Sequence, residues 1–292
     1  MNIGFRKTNF TIHNNFVLIN YYNFTKYGKK YFQVKIPKFF KLNKEFSYFF
    51  GLWCGDRAGG KRMGIVNQNK DILDFSESWL KKNGQNIEKI LYFSELVTIP
   101  KVKYDKKFVL KTDKKGWVLS LHSNNGIFSS FFHYICRELE KFISYLDLEN
   151  FFAGLFDAEG NVSLYNRSFR FACKDSEKIK IYSLYLKKVG FKTRYDGGCI
   201  IVYDLDLFYK RIYPFIKHSE KRTATKFLCT GGGEIPANIA SVLDYVRSYP
   251  DCSQIEIAKA LKKNKVFQEL KLLCDFKYIS HKGYPFRYFT NT

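Results

Sequence analysis

Phe49-Phe50-Gly51-Leu52-Trp53-Cys54-Gly55-Asp56 and Phe152-Ala153-Gly154-Leu155-Phe156-Asp157-Ala158-Glu159-Gly160 are two versions of one pattern, set about a hundred residues apart. Each is an apolar run interrupted by small residues four apart, Gly51 and Gly55 or Gly154 and Ala158, and closed by a carboxylate, Asp56 or Glu159. On a helix, positions i and i+4 share a face. Small side chains there let two helices approach almost backbone to backbone, so the two segments are predicted to pack on each other. Asp56 and Glu159 then emerge side by side at paired helix C-termini, where the helix dipole is already negative. Two carboxylates so placed repel unless a cation lies between them. A hard divalent ion with oxygen ligands, Mg²⁺ (or Mn²⁺), answers that need.

The repetition extends beyond these segments. After Asp56 a loop over residues 57–62 leads to a strand at 63–66 and a helix through Ile72, Leu73, Trp79 and Leu80, stopped near Asn83-Gly84. Strands follow around 90–102, 108–110 and 117–121, then a helix from Gly126 to about Glu140. In the second half, strands at 161–165 and 169–173 flank a turn at Asn166-Arg167-Ser168. A helix ends at Gly190, a hairpin turns at Asp196-Gly197-Gly198 into a strand at 200–203, and a helix spans 206–215. Helix-strand-strand-helix-strand-strand-helix is thus read twice. Both halves carry a polar junction before the middle helix, Asn67-Gln68-Asn69-Lys70-Asp71 and Cys173-Lys174-Asp175-Ser176-Glu177.

Over about residues 40–228 this pattern resembles the LAGLIDADG homing endonucleases, in the single-chain form with two copies of the motif. The second copy matches in eight of nine positions when Phe is allowed for the aliphatic residues and Glu for the last acid. The first is looser: Cys54 replaces the inner Asp, and Arg57 replaces the final Gly. The resemblance implies an α+β class, with a pseudo-twofold duplicated LAGLIDADG endonuclease fold of two αββαββα units. It also implies a site-specific DNA endonuclease that makes a metal-dependent double-strand cut at a long recognition site. In that family each motif acid helps hold metal against one strand's scissile phosphate, and the cuts cross the minor groove. The role carries over to Asp56 and Glu159, with the backbone carbonyls of Gly55 and Ala158 as further metal ligands. The family also sets a basic or amide residue near each cut, and by junction matching these are Gln68 and Lys174. Asn69 stands where a Lys is expected, which puts equal cutting of both strands in question.

The charge suits such a partner. A formal net charge of +22 over 292 residues opposes compactness unless a polyanion is bound, and it favours salt-sensitive nucleic-acid binding. The first 44 residues hold no acid at all, so residues 1–34 are either a DNA-contacting arm or a basic lead-in. Alternation on the strand at 169–173 puts Phe169 and Phe171 on one face and Arg170 on the other, leaving a face for the major groove, where base edges are read. Arg62, Gln68, Ser163, Tyr165, Arg167 and Arg170 are the candidate readers. The seven cysteines form no C-x-x-C pair, which speaks against a disulfide framework or a zinc site. No apolar stretch has membrane-spanning length. An intracellular, soluble monomer in cytoplasm, nucleoid or organelle is expected, the second half supplying what a dimer partner otherwise would.

Gly231-Gly232-Gly233-Glu234 reads as a hinge. Beyond it, three helices, one opened by a Ser253–Glu256 capping box, and a β-hairpin resemble a winged helix-turn-helix. Its third helix would present Lys265, Gln268 and Lys271 to DNA, unless this domain serves protein contacts. The expected organisation is 1–34 basic segment, 35–145 and 146–230 the two repeats, 231–234 hinge, and 235–292 the winged-helix domain. Two other functions fit this layout: a DNA-binding transcription regulator that no longer cuts, and a maturase acting on structured intron RNA.

Overall fold

The computed structural model describes residues 9–25, 28–39, 41–59, 62–98, 100–111 and 115–291. The fold is α+β, and the chain divides into two units, Met1–Glu159 and Gly160–Thr292.

The first unit opens with strands β1 (Asn9–Ile12), β2 (Phe16–Thr25) and β3 (Gly28–Pro37), an antiparallel sheet in that order. The segment left unassigned by sequence is therefore a sheet, and β3 runs through the expected boundary at residue 34; residues 1–8 lie outside the described residues. Its two-residue alternation is real. Ile19 and Tyr21 face the same way as their partners Val34 and Phe32, and this side packs on Ile127.

Next come α1 (Lys44–Asp56), β4 (Met63–Asn67), α2 (Lys70–Lys82), β5 (Glu88–Ser94), β6 (Lys106–Leu110) and β7 (Trp117–Ser123). Helices α3 (Gly126–Arg137), α4 (Leu139–Phe142) and α5 (Leu148–Glu159) finish the unit. Asn43 caps α1 by accepting the Phe46 N–H at 2.9 Å. Nearly all of α1 is apolar, and Phe46, Phe49, Phe50, Leu52 and Trp53 are all buried. The single helix predicted to about Glu140 instead breaks at Glu138. The break lets Leu139, Ile143 and Leu146 turn inward, where all three are buried.

The strand expected at 63–66 forms as β4, and Arg57, in the stretch expected to be a loop, makes an isolated bridge to Ile65. The sheet order is β4-β7-β5-β6, with β6 added as an edge parallel to β5. The second unit keeps the full pattern. It contains β8 (Gly160–Ser163), β9 (Ser168–Ala172), α6 (Ser176–Val189), β10 (Thr193–Asp196), β11 (Cys199–Val202), α7 (Leu205–Arg211) and α8 (Ser219–Thr230). Its sheet, β10-β11-β9-β8, is antiparallel throughout. Helix α7 stops at Arg211, short of residue 215, because the Pro214 ring is incompatible with continued helix.

The remaining elements are α9 (Ala237–Ser248), β12 (Cys252–Ser253), α10 (Gln254–Ala260), α11 (Phe267–Asp275), β13 (Ile279–Lys282) and β14 (Arg287–Thr290). The capping box at Ser253 and Glu256 forms as predicted. The glycine stretch is not a loose hinge. Gly231 ends α8 at φ +65°, with a Cβ there falling 2.5 Å from the Phe276 ring, and its carbonyl accepts the Tyr278 hydroxyl at 3.0 Å. Phe227 of α8 also belongs to the core built by α9, α10 and α11.

Candidate functional site

The two motif helices, α1 and α5, pack through a seam that only glycine permits. A Cβ on Gly51 would lie 2.0 Å from the Phe151 carbonyl oxygen, and one on Gly154 would lie 2.0 Å from the Tyr48 carbonyl oxygen. The contact is reciprocal, so each helix presents the same surface to the other. Three residues on from each of these glycines the symmetry is broken chemically. Asp157 is buried and accepts a hydrogen bond from the Tyr48 hydroxyl. The matching positions hold Cys54 and Phe151, an apolar pair replacing a polar one. The first motif thus lacks its inner acid without leaving an unsatisfied carboxylate behind.

At the end of the seam a Cβ on Gly55 would meet Ala158 Cβ at 2.5 Å and Glu159 Cγ at 2.6 Å. The helix ends carrying Asp56 and Glu159 are therefore in contact, as the spacing predicted. Asp56 is half-buried, and its Oδ2 accepts a hydrogen bond from Asn67 Nδ2 at 2.6 Å; Glu159 is exposed. Among the described residues no three His, Cys, Asp or Glu side chains converge as a metal cluster. A cation at these helix ends would therefore draw on two carboxylates, with backbone carbonyls, water or phosphate oxygens completing its shell. That donor set fits Mg²⁺ or Mn²⁺, which keep several waters and take few protein carboxylates.

Register connects the halves. The Arg57–Ile65 bridge and the Gly160–Phe171 pair each follow directly on a motif acid. Counting on from Ile65 and Phe171 matches Asn67 with Cys173, Gln68 with Lys174, and Asn69 with Asp175. Asn69 and Asp175 play the same local role, capping α2 and α6 by accepting the next helical N–H groups. Gln68 and Lys174 are both exposed at the strand-to-helix junctions. Asn67, which holds Asp56, was not singled out as a site residue by sequence; its place in the first polar junction was the available signal.

Arg62 is exposed beside β4, and its charge helps burial keep the His122 imidazole below its usual pKa. In the second unit Phe169 and Phe171 are buried and Arg170 is half-buried between them. Arg167 lies in the turn expected at Asn166-Arg167-Ser168. It occupies the β8–β9 turn at φ 46°, 3.6 Å from Asp275 Oδ2 and with its guanidinium 5.7 Å from the centre of the Phe276 ring. Ser163 and Tyr165 line a groove of about 230 Å³ with Gln268 of α11. Lys265, Gln268 and Lys271 are exposed, though Lys265 precedes the helix. Among the described residues no helix is long and apolar enough to cross a membrane.

Residues 148–198 match the family model of the LAGLIDADG-like domain. No curated protein is similar enough to count as a match. Among solved structures, I-DmoI in complex with DNA and Mn is similar at 16% identity, covering 59% of this chain and 97% of that chain, with a TM-score of 0.40. I-DmoI with DNA and Ca gives 16% identity, 59% and 90% coverage, and a TM-score of 0.41. A structure of mesophilic variants of the homing endonuclease I-DmoI gives 16%, 59% and 96%, with a TM-score of 0.40. The matched segment begins at the second motif helix.

Proposed function

We propose that the protein is a site-specific DNA endonuclease, monomeric, with Asp56 and Glu159 as its paired metal-holding acids. The observation that carries this reading is the contact of Gly55 with Ala158 and Glu159 at the end of a glycine seam, which brings two acid-bearing helix ends together. The LAGLIDADG-like match and the charge of +22 support it from independent directions. Asp56, Glu159 and the carbonyls of Gly55 and Ala158 would hold Mg²⁺ or Mn²⁺. The chemistry such an ion supplies when bound is polarisation of a phosphate oxygen and a more acidic water. Asn67 keeps the Asp56 carboxylate oriented through its amide. Gln68 and Lys174, at matched junctions, are assigned to the two strand cuts. A lysine can neutralise charge on the phosphate, and a glutamine can only orient a water or an oxygen. The two cuts should therefore proceed at unequal rates. Arg62, Ser163, Tyr165, Arg170, Lys265, Gln268 and Lys271 are proposed to contact duplex DNA, and Arg167 to brace the turn that carries Tyr165.

A regulator without cleavage activity is the second reading, favoured by the exposed Lys265, Gln268 and Lys271 around α11. Incubating the full chain with supercoiled plasmid carrying its insertion locus separates the two. Linear product with Mg²⁺ and none with chelator supports the nuclease, whereas tight duplex binding without any cut supports the regulator. Loss of both activities with retained intron binding would favour the maturase.

A further inference from the structure

The sheet β1–β3 has two faces with different chemistry. One packs on α3 through Tyr21, Val34 and Ile127. The register puts Phe16, Leu18, Asn20 and Tyr22 of β2 on the opposite face, beside Tyr31, Gln33 and Lys35 of β3. Tyr31 is 71% exposed. Lys29 Nζ lies 3.8 Å from the centre of the Tyr22 ring and 4.9 Å from that of Tyr31, and Lys35 Nζ lies 4.0 Å from that of Phe16. Gln33 donates to Asn20 at 2.9 Å. Rings, amides and ammonium groups thus alternate over one sheet surface, in a segment whose sequence contains no carboxylate before Glu45.

A cleft of about 540 Å³ opens along the β3 edge, and Gln33, Asn86 and Asn124 line it. All three are exposed amides. The acid on its wall, Glu88, is paired with Lys106 at 2.5 Å. The sheet is anchored for work at this edge: Asn125 donates to the Lys35 carbonyl at 3.2 Å and to Gln85 at 3.0 Å.

We propose that the outer face of β1–β3 binds an unpaired nucleic-acid strand, with Phe16, Tyr22 and Tyr31 stacking bases, Lys29 and Lys35 taking phosphates, and the cleft amides meeting base edges. Rings lying on a sheet can stack only on bases free of a duplex, because paired bases already stack on one another. The absence of acid excludes a cationic partner and suits a polyanion. An ammonium over an exposed ring is a weaker contact than a stacked base, so each lysine can yield its ring and turn to the backbone.

The test is fluorescence anisotropy of the full chain without divalent metal, on labelled oligo(dT), labelled oligo(U) and a duplex of unrelated sequence. Tyr31→Ala should weaken binding to at least one single strand about tenfold, while Tyr31→Phe retains it and duplex affinity stays within about twofold. Lys29→Gln should weaken the same strand and lower its salt slope by about one. Whichever homopolymer shows the loss identifies DNA or RNA as the source of the strand. Wild-type protein that binds neither strand, a Tyr31→Ala variant that binds as before, or equal losses on strand and duplex would overturn the proposal. Cleavage of the duplex locus is measured separately, so this proposal and the nuclease reading fail independently.

Discussion

Replacing Gly51 with Ala adds one methyl group at the point where α1 meets α5. The nearest atom, the Phe151 carbonyl oxygen, would lie at 2.0 Å and the Leu155 nitrogen at 2.9 Å, both backbone. Ordinary contact begins at 3.4 Å, so the helices must separate by roughly 1.4 Å and cannot relieve the clash by a side-chain rotation. Overpacking of a core costs about 1–3 kcal/mol, and the rigid obstacle places this site at the upper end. Alanine's better helix propensity returns about 1 kcal/mol. The net expectation is a loss of about 2 kcal/mol, or about 4–8 °C in Tm. Gly154→Ala should lose as much, and the double variant less than the sum, because one separation accommodates both methyls. Gly59→Ala, with nothing within 4 Å of its added carbon, is the control and should stay within about 0.5 kcal/mol of wild type. Thermal and urea unfolding measure all four. A Gly51→Ala variant as stable as the Gly59→Ala control would show that the helices do not touch backbone to backbone.

Three further outcomes follow from the same geometry. Tyr48→Phe removes a donor from the buried Asp157 and should cost about 2–3 kcal/mol in urea unfolding. Adding Asp157→Cys recreates the Phe151 and Cys54 pairing and should recover most of that loss; a double variant no better than the single one would contradict the symmetry argument. Asn67→Ala frees the Asp56 carboxylate from its amide and should raise the Mg²⁺ concentration that cleavage needs by about 10–100-fold, with rescue at high Mg²⁺; an unchanged Mg²⁺ titration would deny Asn67 its positioning role. Burial, with Arg62, depresses the His122 pKa below its ordinary 6.5, so the unfolded chain takes up a proton first on acidification. Stability should fall as pH drops through about 6.5 toward the folded value, and His122→Gln should flatten that slope. Equal slopes in both proteins would refute it.

How much was legible beforehand follows from how local each cause is. The glycine seam was readable because close helix contact demands small residues at fixed spacing, and Gly51 and Gly154 meet that demand in the chain itself. The caps at Asn83, Asp175 and Gly190 are equally local. The β1–β3 sheet was hidden because aromatic residues populate both its faces, blurring the alternation that Val17, Ile19 and Tyr21 carry. The parallel β6 edge was hidden too, because a parallel pairing with β5 is set by the sheet and not by any turn signal between the two strands. Gly231 misled because its partners are distant: its composition says flexible, yet Phe276 and Tyr278 hold it from more than forty residues away. The Asn67–Asp56 bond likewise arises only once β4 returns beside the end of α1.

The most direct test compares Asp56→Asn and Glu159→Gln with wild type, following each strand of the target duplex separately in Mg²⁺. Both variants should bind that duplex within about threefold of wild type, since neither substitution removes a positive charge from the interface. Both should fail to produce the double-strand break. Cleavage at wild-type rates by either one would mean that the meeting of these two helix ends is packing alone.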